Sequence, residues 1–258
     1  MSTEKPRTPL VARPTRVQVL VTCLVDRIFP DTGMAVVDVL ERLGLTVECP
    51  PAQTCCGQPA FNAGALDDAR AMARHTVDLL SQSDAPIVIP SGSCGDMVIH
   101  QYDALLRDDA IYAEKARAVA ARTYEFSEFL VDVLGVTDVQ ASHPGTLTYH
   151  ASCHGLRGLH LLHQPTTLLA HVHNSTVCPL AEADVCCGFG GLFAVKMPDI
   201  SSAMLDRKLD SIVASGADTV VVTDVSCAMH MAGGLHRRGS AIRVRHLAEV
   251  LAETSGRS

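Results

Sequence analysis

Hydrophobic positions along this chain follow two rhythms. Short β-branched runs at residues 17–21, 45–47 and 87–89 read as buried strands, and between them apolar residues recur at helical spacing. Pro30 and Asp31 open one such stretch, in which Met34, Val37, Leu40 and Leu43 share a face until Gly44 stops it. A second helix is predicted over 65–80, and a longer helical stretch over 113–134. The order then repeats, with strand 147–149, helix 166–172, a short strand about Val177, helix 201–215, strand 219–223, strand 242–244 and helix 247–251. Strands alternating with helices imply parallel sheets joined by right-handed crossovers. The expected fold is α/β, with two pseudo-repeated Rossmann-like parallel-sheet domains at 16–140 and 141–258. Residues 1–15, polar and holding three prolines, read as a disordered leader.

Loops in this pattern carry cysteine in an arrangement that occurs twice. Cys23, Cys55, Cys56 and Cys94 form the first copy, and Cys153, Cys186, Cys187 and Cys227 the second. The gap from single to paired cysteine is 32 positions in one half and 33 in the other; from the pair to the last cysteine it is 38 and 40. Duplication with nearly equal gaps argues against eight buried thiols scattered by chance. It points to a soft-metal or iron–sulfur protein built from two copies of one unit. Cys23, Cys94, Cys153 and Cys227 each follow a predicted strand closely, at the edge where open α/β sheets place their sites. One centre per half and a single centre shared at the interface both fit this placement. Cys49 and Cys178, a few residues ahead of the pairs, read as core fillers.

Composition narrows the classes. Of 258 residues, 47% are hydrophobic and 19% charged, which suits a filled globular core. A net charge of −7 without a basic cluster excludes a nucleic-acid partner. No apolar run reaches the roughly 20 residues of a membrane-spanning helix, and no signal peptide is evident. Ten cysteines in such a chain are expected to be reduced, and the expected compartment is the cytoplasm.

Longer motifs carry a resemblance. Gln53-Thr54-Cys55-Cys56-Gly57-Gln58-Pro59, Pro90-Ser91-Gly92-Ser93-Cys94, Tyr149-His150-Ala151-Ser152-Cys153-His154 and Cys186-Cys187-Gly188-Phe189-Gly190-Gly191 are similar to the cysteine-rich "CCG" domains of heterodisulfide reductase and glycolate oxidase iron–sulfur subunits. More closely, over residues 17–252, the chain resembles the two-copy lactate utilization protein A family. The resemblance implies an iron–sulfur electron-transfer subunit of a cytoplasmic oxidoreductase complex for L-lactate oxidation. It implies as partners a ferredoxin-like iron–sulfur subunit and a third small subunit. The cofactor expected on the eight cysteines is an iron–sulfur cluster of [4Fe–4S] type, one or two per chain, with zinc as the alternative. Two other readings stay open: a heterodisulfide-reductase-like thiol–disulfide oxidoreductase subunit, and a zinc-stabilised assembly scaffold.

One departure from the family pattern matters. The full CCG motif ends in Cys-x-x-Cys, and here Ser91 and Asp224 stand where the first of those cysteines belongs. Four thiolates per half fit a [4Fe–4S] cluster or a Cys₄ zinc site by count. Adjacent thiolates are awkward on one compact centre, and whether Ser91 or Asp224 supplies an oxygen instead is left open by the sequence.

Neighbouring residues are assigned supporting roles. Gly57, Gly188, Gly190 and Gly191 are expected to bind the cofactor, through positive-φ turns and backbone N–H groups directed at sulfur. His154 is expected beside the cofactor as a hydrogen-bond partner of a ligand, and His150 or His154 as the base if lactate reaches this chain. Arg157 and Lys196 are weighed as anion holders near the second site, and His160, His163, His171 and His173 read as surface. The glycines after Cys187 lack Gly-x-Gly-x-x-Gly spacing and a Walker lysine, which excludes a nucleotide loop.

Overall fold

A computed structural model describes residues 13–255, so the expected leader lies, through residue 12, outside the described residues. Strands β1 (Arg16–Val19), β2 (Thr46–Glu48), β3 (Ile87–Ile89) and β4 (Thr123–Glu125) form an all-parallel sheet in the order β2-β1-β3-β4. Strands β5 (Ser142–His150), β6 (His173–Val177), β7 (Thr219–Val222) and β8 (Arg243–His246) repeat it as β6-β5-β7-β8. Of the central strands, β3 and β7 are β-branched runs, Ile87-Val88-Ile89 and Thr219-Val220-Val221-Val222, buried along their whole length as parallel strands covered on both faces are.

The alternation of side chains along these strands divides the interior into layers. Ile87 and Ile89 face an outer core of the first half, while Val88 faces a core shared by both halves. Val220 and Val222 likewise face the outer core of the second half, and Val221 the shared one. The shared core is closed by a crosswise pairing of helices. Pro30–Arg42, after β1, packs on Leu247–Ala252, after β8; Gln164–Leu169, after β5, packs on the turns after β4. Thr32 donates its hydroxyl to Glu249, and Arg42 donates to the carbonyls of Leu251 and Ala252, across the same seam. Fully burying side chains such as Phe126, Phe129 and Leu147 there contributes about 1.5–3 kcal/mol each.

One predicted element is wrong. The helical stretch expected over 113–134 is broken: a helix runs Ala110–Ala121, strand β4 follows, and helical turns resume only at Phe126. Thr123-Tyr124-Glu125 is a β-forming triplet inside a helical rhythm. Pairing with β3, Val88 opposite Tyr124, decides its conformation where local periodicity does not.

Glu125 ends β4 and caps the turns that follow. Its Oε2 accepts the N–H groups of Ser127 at 2.7 Å and Glu128 at 3.3 Å, while its Oε1 has no partner. Burial pushes this carboxyl up from its ordinary 4.5 to about 8. In the unfolded chain the group ionises near its ordinary value, so between the two values the native state binds more protons and stability falls as pH rises. The contribution is complete below the ordinary value and lost above about pH 8. His246, the corresponding residue that ends β8, is shifted down by burial, so it costs stability as pH falls below its ordinary 6.5. Glu125→Gln fixes the neutral form. Relative to the native chain, it is expected to flatten the decline of unfolding free energy over about pH 7–8 by up to about 1.4 kcal/mol per pH unit. Urea unfolding at a series of pH values measures this, and an unchanged slope would show that Glu125 does not carry the proton.

Candidate metal centre in a shared cleft

In each sheet the crossovers run in opposite directions from the two central strands, β1 and β3 or β5 and β7. The crevice at that switch point lies at the strands' carboxyl ends. Cys23 and Cys153 follow β1 and β5; Cys94 and Cys227 follow β3 and β7, each in the first turn of a helix. The cysteine pairs arrive on the loops after β2 and β6. Gln53 anchors the first such loop by bonding Val21 N–H and Val19 C=O at the end of β1, and Gln58 ties it to Ser93 C=O. In the second loop Ala151 N–H bonds Ala183 C=O, and Ser201 Oγ donates to Gly188 C=O.

This scaffold brings each set of four thiols together. Cys56 and Cys94 sulfurs are 3.4 Å apart, and so are those of Cys187 and Cys227. Two thiolates on one tetrahedral metal at about 2.3 Å lie roughly 3.8 Å apart, so the spacing suits a shared ion or cluster. Hydrogen bonds from Cys23 and then Cys56 hold the Cys55 thiol well below its usual range. Cys153 and then Cys187 do the same for Cys186, aided by the Gly188 N–H at 3.3 Å. Their donors Cys23, Cys56, Cys153 and Cys187 are pushed up in return. Hydrogen bonding from Cys187 lowers Cys227 as well, to about 6. Each tetrad thus mixes a thiol that ionises readily with thiols held protonated, an arrangement that a bound cation converts to thiolates with release of protons.

The two tetrads open on one cavity of about 320 Å³ between the halves, lined by all eight patterned cysteines. Its walls meet at Asp224. This carboxylate is 2% exposed. Oδ1 accepts from Ser226 N–H (3.0 Å) and Ser226 Oγ (2.6 Å), capping its own helix; Oδ2 accepts from Ser93 N–H (2.8 Å) and Ser91 Oγ (3.2 Å) at the start of the opposite one. Ser91 Oγ also accepts Cys94 N–H at 3.3 Å. All four acceptor positions of the carboxylate are used. Asp224 and Ser91 therefore join the halves, and Asp224 has no lone pair left for a metal. Close backbone contact completes the seam: a Cβ on Gly92 would lie 2.7 Å from Gly155 N, and one on Gly158 2.7 Å from the Asp96 carboxylate.

The glycines of the pair loops have positive φ, at +86° for Gly57, +89° for Gly188, +52° for Gly190 and +58° for Gly191. What Gly57 and Gly188 approach is a helix of their own half. A Cβ would meet Ala69 O at 3.3 Å in one case and Ser201 O at 2.6 Å in the other. Gly190 and Gly191 line the cavity. His154 also lines it, and its Nδ1 lies 2.7 Å from Asp96 Oδ2, a contact across the halves that shifts its pKa upward. Arg157 is spent on the Asp184 carbonyl (3.2 Å), and Lys196 is exposed away from the cavity. His160, His163, His171 and His173 are on the surface as expected. Cys178 is half-buried, but Cys49 is exposed rather than a core filler, because β2 is an edge strand and its end faces solvent. His150 is completely buried behind Cys187 and Cys227, out of the cavity lining, so it cannot be a base for a substrate there. Its proximity to thiols is a three-dimensional fact that spacing did not reveal. The same is true of Lys208, a buried cation beside Cys187 that donates to Glu182 C=O; burial lowers its pKa.

The cysteine-rich CCG domain profile matches this chain twice, at residues 17–99 and 147–232. Lactate utilization protein A of Exiguobacterium sp. (strain ATCC BAA-1283 / AT1b) is 48% identical over 238 residues, 92% of this chain and 97% of that protein. The chain belongs to the lactate utilization protein A family. Lactate utilization protein A of Bacillus cereus (strain B4264) is 46% identical over 236 residues, 92% of this chain and 98% of that one. Among solved structures, a hypothetical protein from Helicobacter pylori matches with TM-score 0.66 at 9% identity, which shows a common fold; this chain spans 52% of that protein's length. Family membership accounts for the duplicated thiol tetrads and the two parallel sheets.

Asp224→Ala strands two buried N–H donors and two hydroxyls at the seam. It is expected to lower unfolding free energy by about 3 kcal/mol or more, whereas Asp224→Asn, which keeps one acceptor oxygen, costs roughly half as much. Denaturant titration of both variants checks the order; an alanine variant of native stability would mean the carboxylate does not join the halves.

Proposed function

We propose that the chain is the iron–sulfur electron-transfer subunit of a multi-protein system that oxidises L-lactate, with Cys23, Cys55, Cys56 and Cys94 holding one centre and Cys153, Cys186, Cys187 and Cys227 the other. The observation that carries this is the opening of both tetrads into a single cavity of about 320 Å³. A structural metal site is closed on itself, whereas two thiol centres exposed to one cleft suit electron exchange with a partner or substrate. The word lactate comes from the names of the relatives. Bound clusters would supply one-electron transfer; this chain's own part is to hold them, exclude bulk water and set their charge environment. Lys208 under Cys187 and the Gly188 N–H on Cys186 offset negative charge at the second tetrad.

In this reading the chain passes electrons between a ferredoxin-like iron–sulfur subunit and a third small subunit of the same system, and works in the cytoplasm. Among the described residues, no helix is long and apolar enough to cross a membrane.

Anaerobic purification with iron, acid-labile sulfide and zinc measured per chain is the test. Iron and sulfide in matching amounts are expected, with an electron paramagnetic resonance signal on reduction. Cys56→Ser and Cys187→Ser are each expected to remove about half of the iron, since each breaks one centre. Zinc without sulfide in a colourless protein would replace this reading with a zinc-stabilised scaffold. Turnover of a disulfide by reduced viologen, without lactate oxidation by the assembled system, would replace it with thiol–disulfide chemistry.

A further inference from the structure

The two tetrads are built alike, but what stands behind them differs. His150 precedes Cys153 by three residues, as Leu20 precedes Cys23. Leu20 packs into the apolar outer core of the first half together with Cys56 and Cys94. In the corresponding place His150 is 0% exposed, with a ring nitrogen and the sulfurs of Cys187 and Cys227 all within 4.8 Å of one another. Neither ring nitrogen makes a hydrogen bond of normal geometry, and the sulfurs of Cys187 and Cys227 lie beside the ring. Buried polar groups without partners are rare and each calls for a reason. Packing is not the reason, because the same fold accepts leucine at the equivalent position.

We propose that His150 is a ligand of the second metal centre, its neutral imidazole joining Cys153, Cys186, Cys187 and Cys227. A metal at about 2.0–2.1 Å from nitrogen and about 2.3 Å from sulfur sets the two roughly 3.6 Å apart at a tetrahedral angle, well inside the observed limit. Asp224 stands three residues ahead of Cys227, where it could have been a further donor, yet its four acceptor positions are taken. The vacancy in the donor set is filled from the strand side instead, by a nitrogen. Imidazole serves iron as well as zinc. The first half has Leu20 at the equivalent position. The two centres are therefore chemically distinct. This inference rests on the reading that the tetrads hold metal.

The test uses the full chain, loaded anaerobically with iron and sulfide, reduced, and prepared with and without ¹⁵N-histidine. Pulsed paramagnetic resonance is expected to show a directly coordinated histidine nitrogen whose coupling changes with the isotope. The coupling is expected to vanish in His150→Leu, which copies the first half, and to persist in Cys56→Ser. His150→Gln, polar and similar in size, guards against a folding defect of the leucine variant and is also expected to lack the coupling. Iron and sulfide at both centres without a coordinated histidine nitrogen overturns the ligation and leaves the iron–sulfur reading standing. If the chain takes up no sulfide, that reading falls and Co(II) titration of the apoprotein decides. His150→Leu is then expected to weaken the second Co(II) site by about tenfold or more and shift its visible spectrum. Identical Co(II) spectra and affinities in both proteins overturn the proposal.

Discussion

The cleft exists because one carboxylate caps two helices that start from different halves. Both helices begin at the carboxyl end of a central strand, with free N–H groups and a positive dipole end pointed at the same space. Brought face to face without an anion between them, they repel and leave donors stranded. Asp224 resolves this by giving one oxygen to Ser226 and the other to Ser93 and Ser91. The thiols of Cys94 and Cys227 lie in the first turns of those helices, so the distance between the two tetrads is fixed by the same carboxylate. A cysteine in the place of Asp224 would gain a ligand and lose the clasp. Here that position holds the two halves together.

Duplication gives the molecule a near two-fold plan, and the chemistry lies in the departures from it. Ser91 answers Asp224 as donor to acceptor. Leu20 answers His150. The contacts of Gly57 with Ala69 and Met72 match those of Gly188 with Ser201 and Met204, and carrying that correspondence one turn further sets Thr76 opposite Lys208. An imidazole and an ammonium thus lie behind the second tetrad where the first has an aliphatic and a hydroxyl group. The ammonium makes the second environment less negative, which favours the reduced form of whatever it holds.

Much of this was legible from residue order, and the limits have physical causes. The β-branched triplets, the glycine stops and the cysteine gaps fixed the sheet class and the thiol grouping, because strand period and loop chemistry are local. Strand β4 was missed because Thr123-Tyr124-Glu125 is too short to compete with a helical rhythm until β3 offers its edge. In the sequence Asp224 reads as an absent cysteine and a candidate oxygen ligand, not as a clasp; its bonds reach residues more than 130 positions away, which no local pattern encodes. His150 looked like a strand end beside a motif, and only the sheet's pleat turns its ring toward Cys187 and Cys227 rather than toward the cleft.

The shared core settles how the two halves relate. Val17, Val19 and Val88 on one sheet and Leu147 and Val221 on the other belong to one buried cluster. Each half alone would expose that face to water, together with the helix surfaces that now pair crosswise. Losing even five such side chains to solvent costs on the order of 10 kcal/mol, comparable to the whole stability of an ordinary domain. The halves are therefore repeats in sequence but a single folding unit in energy. It follows that the cleft cannot be opened by parting the halves, because that motion would open the core. Whatever reaches the thiols must enter by the mouth of a standing cavity and fit between two fixed tetrads.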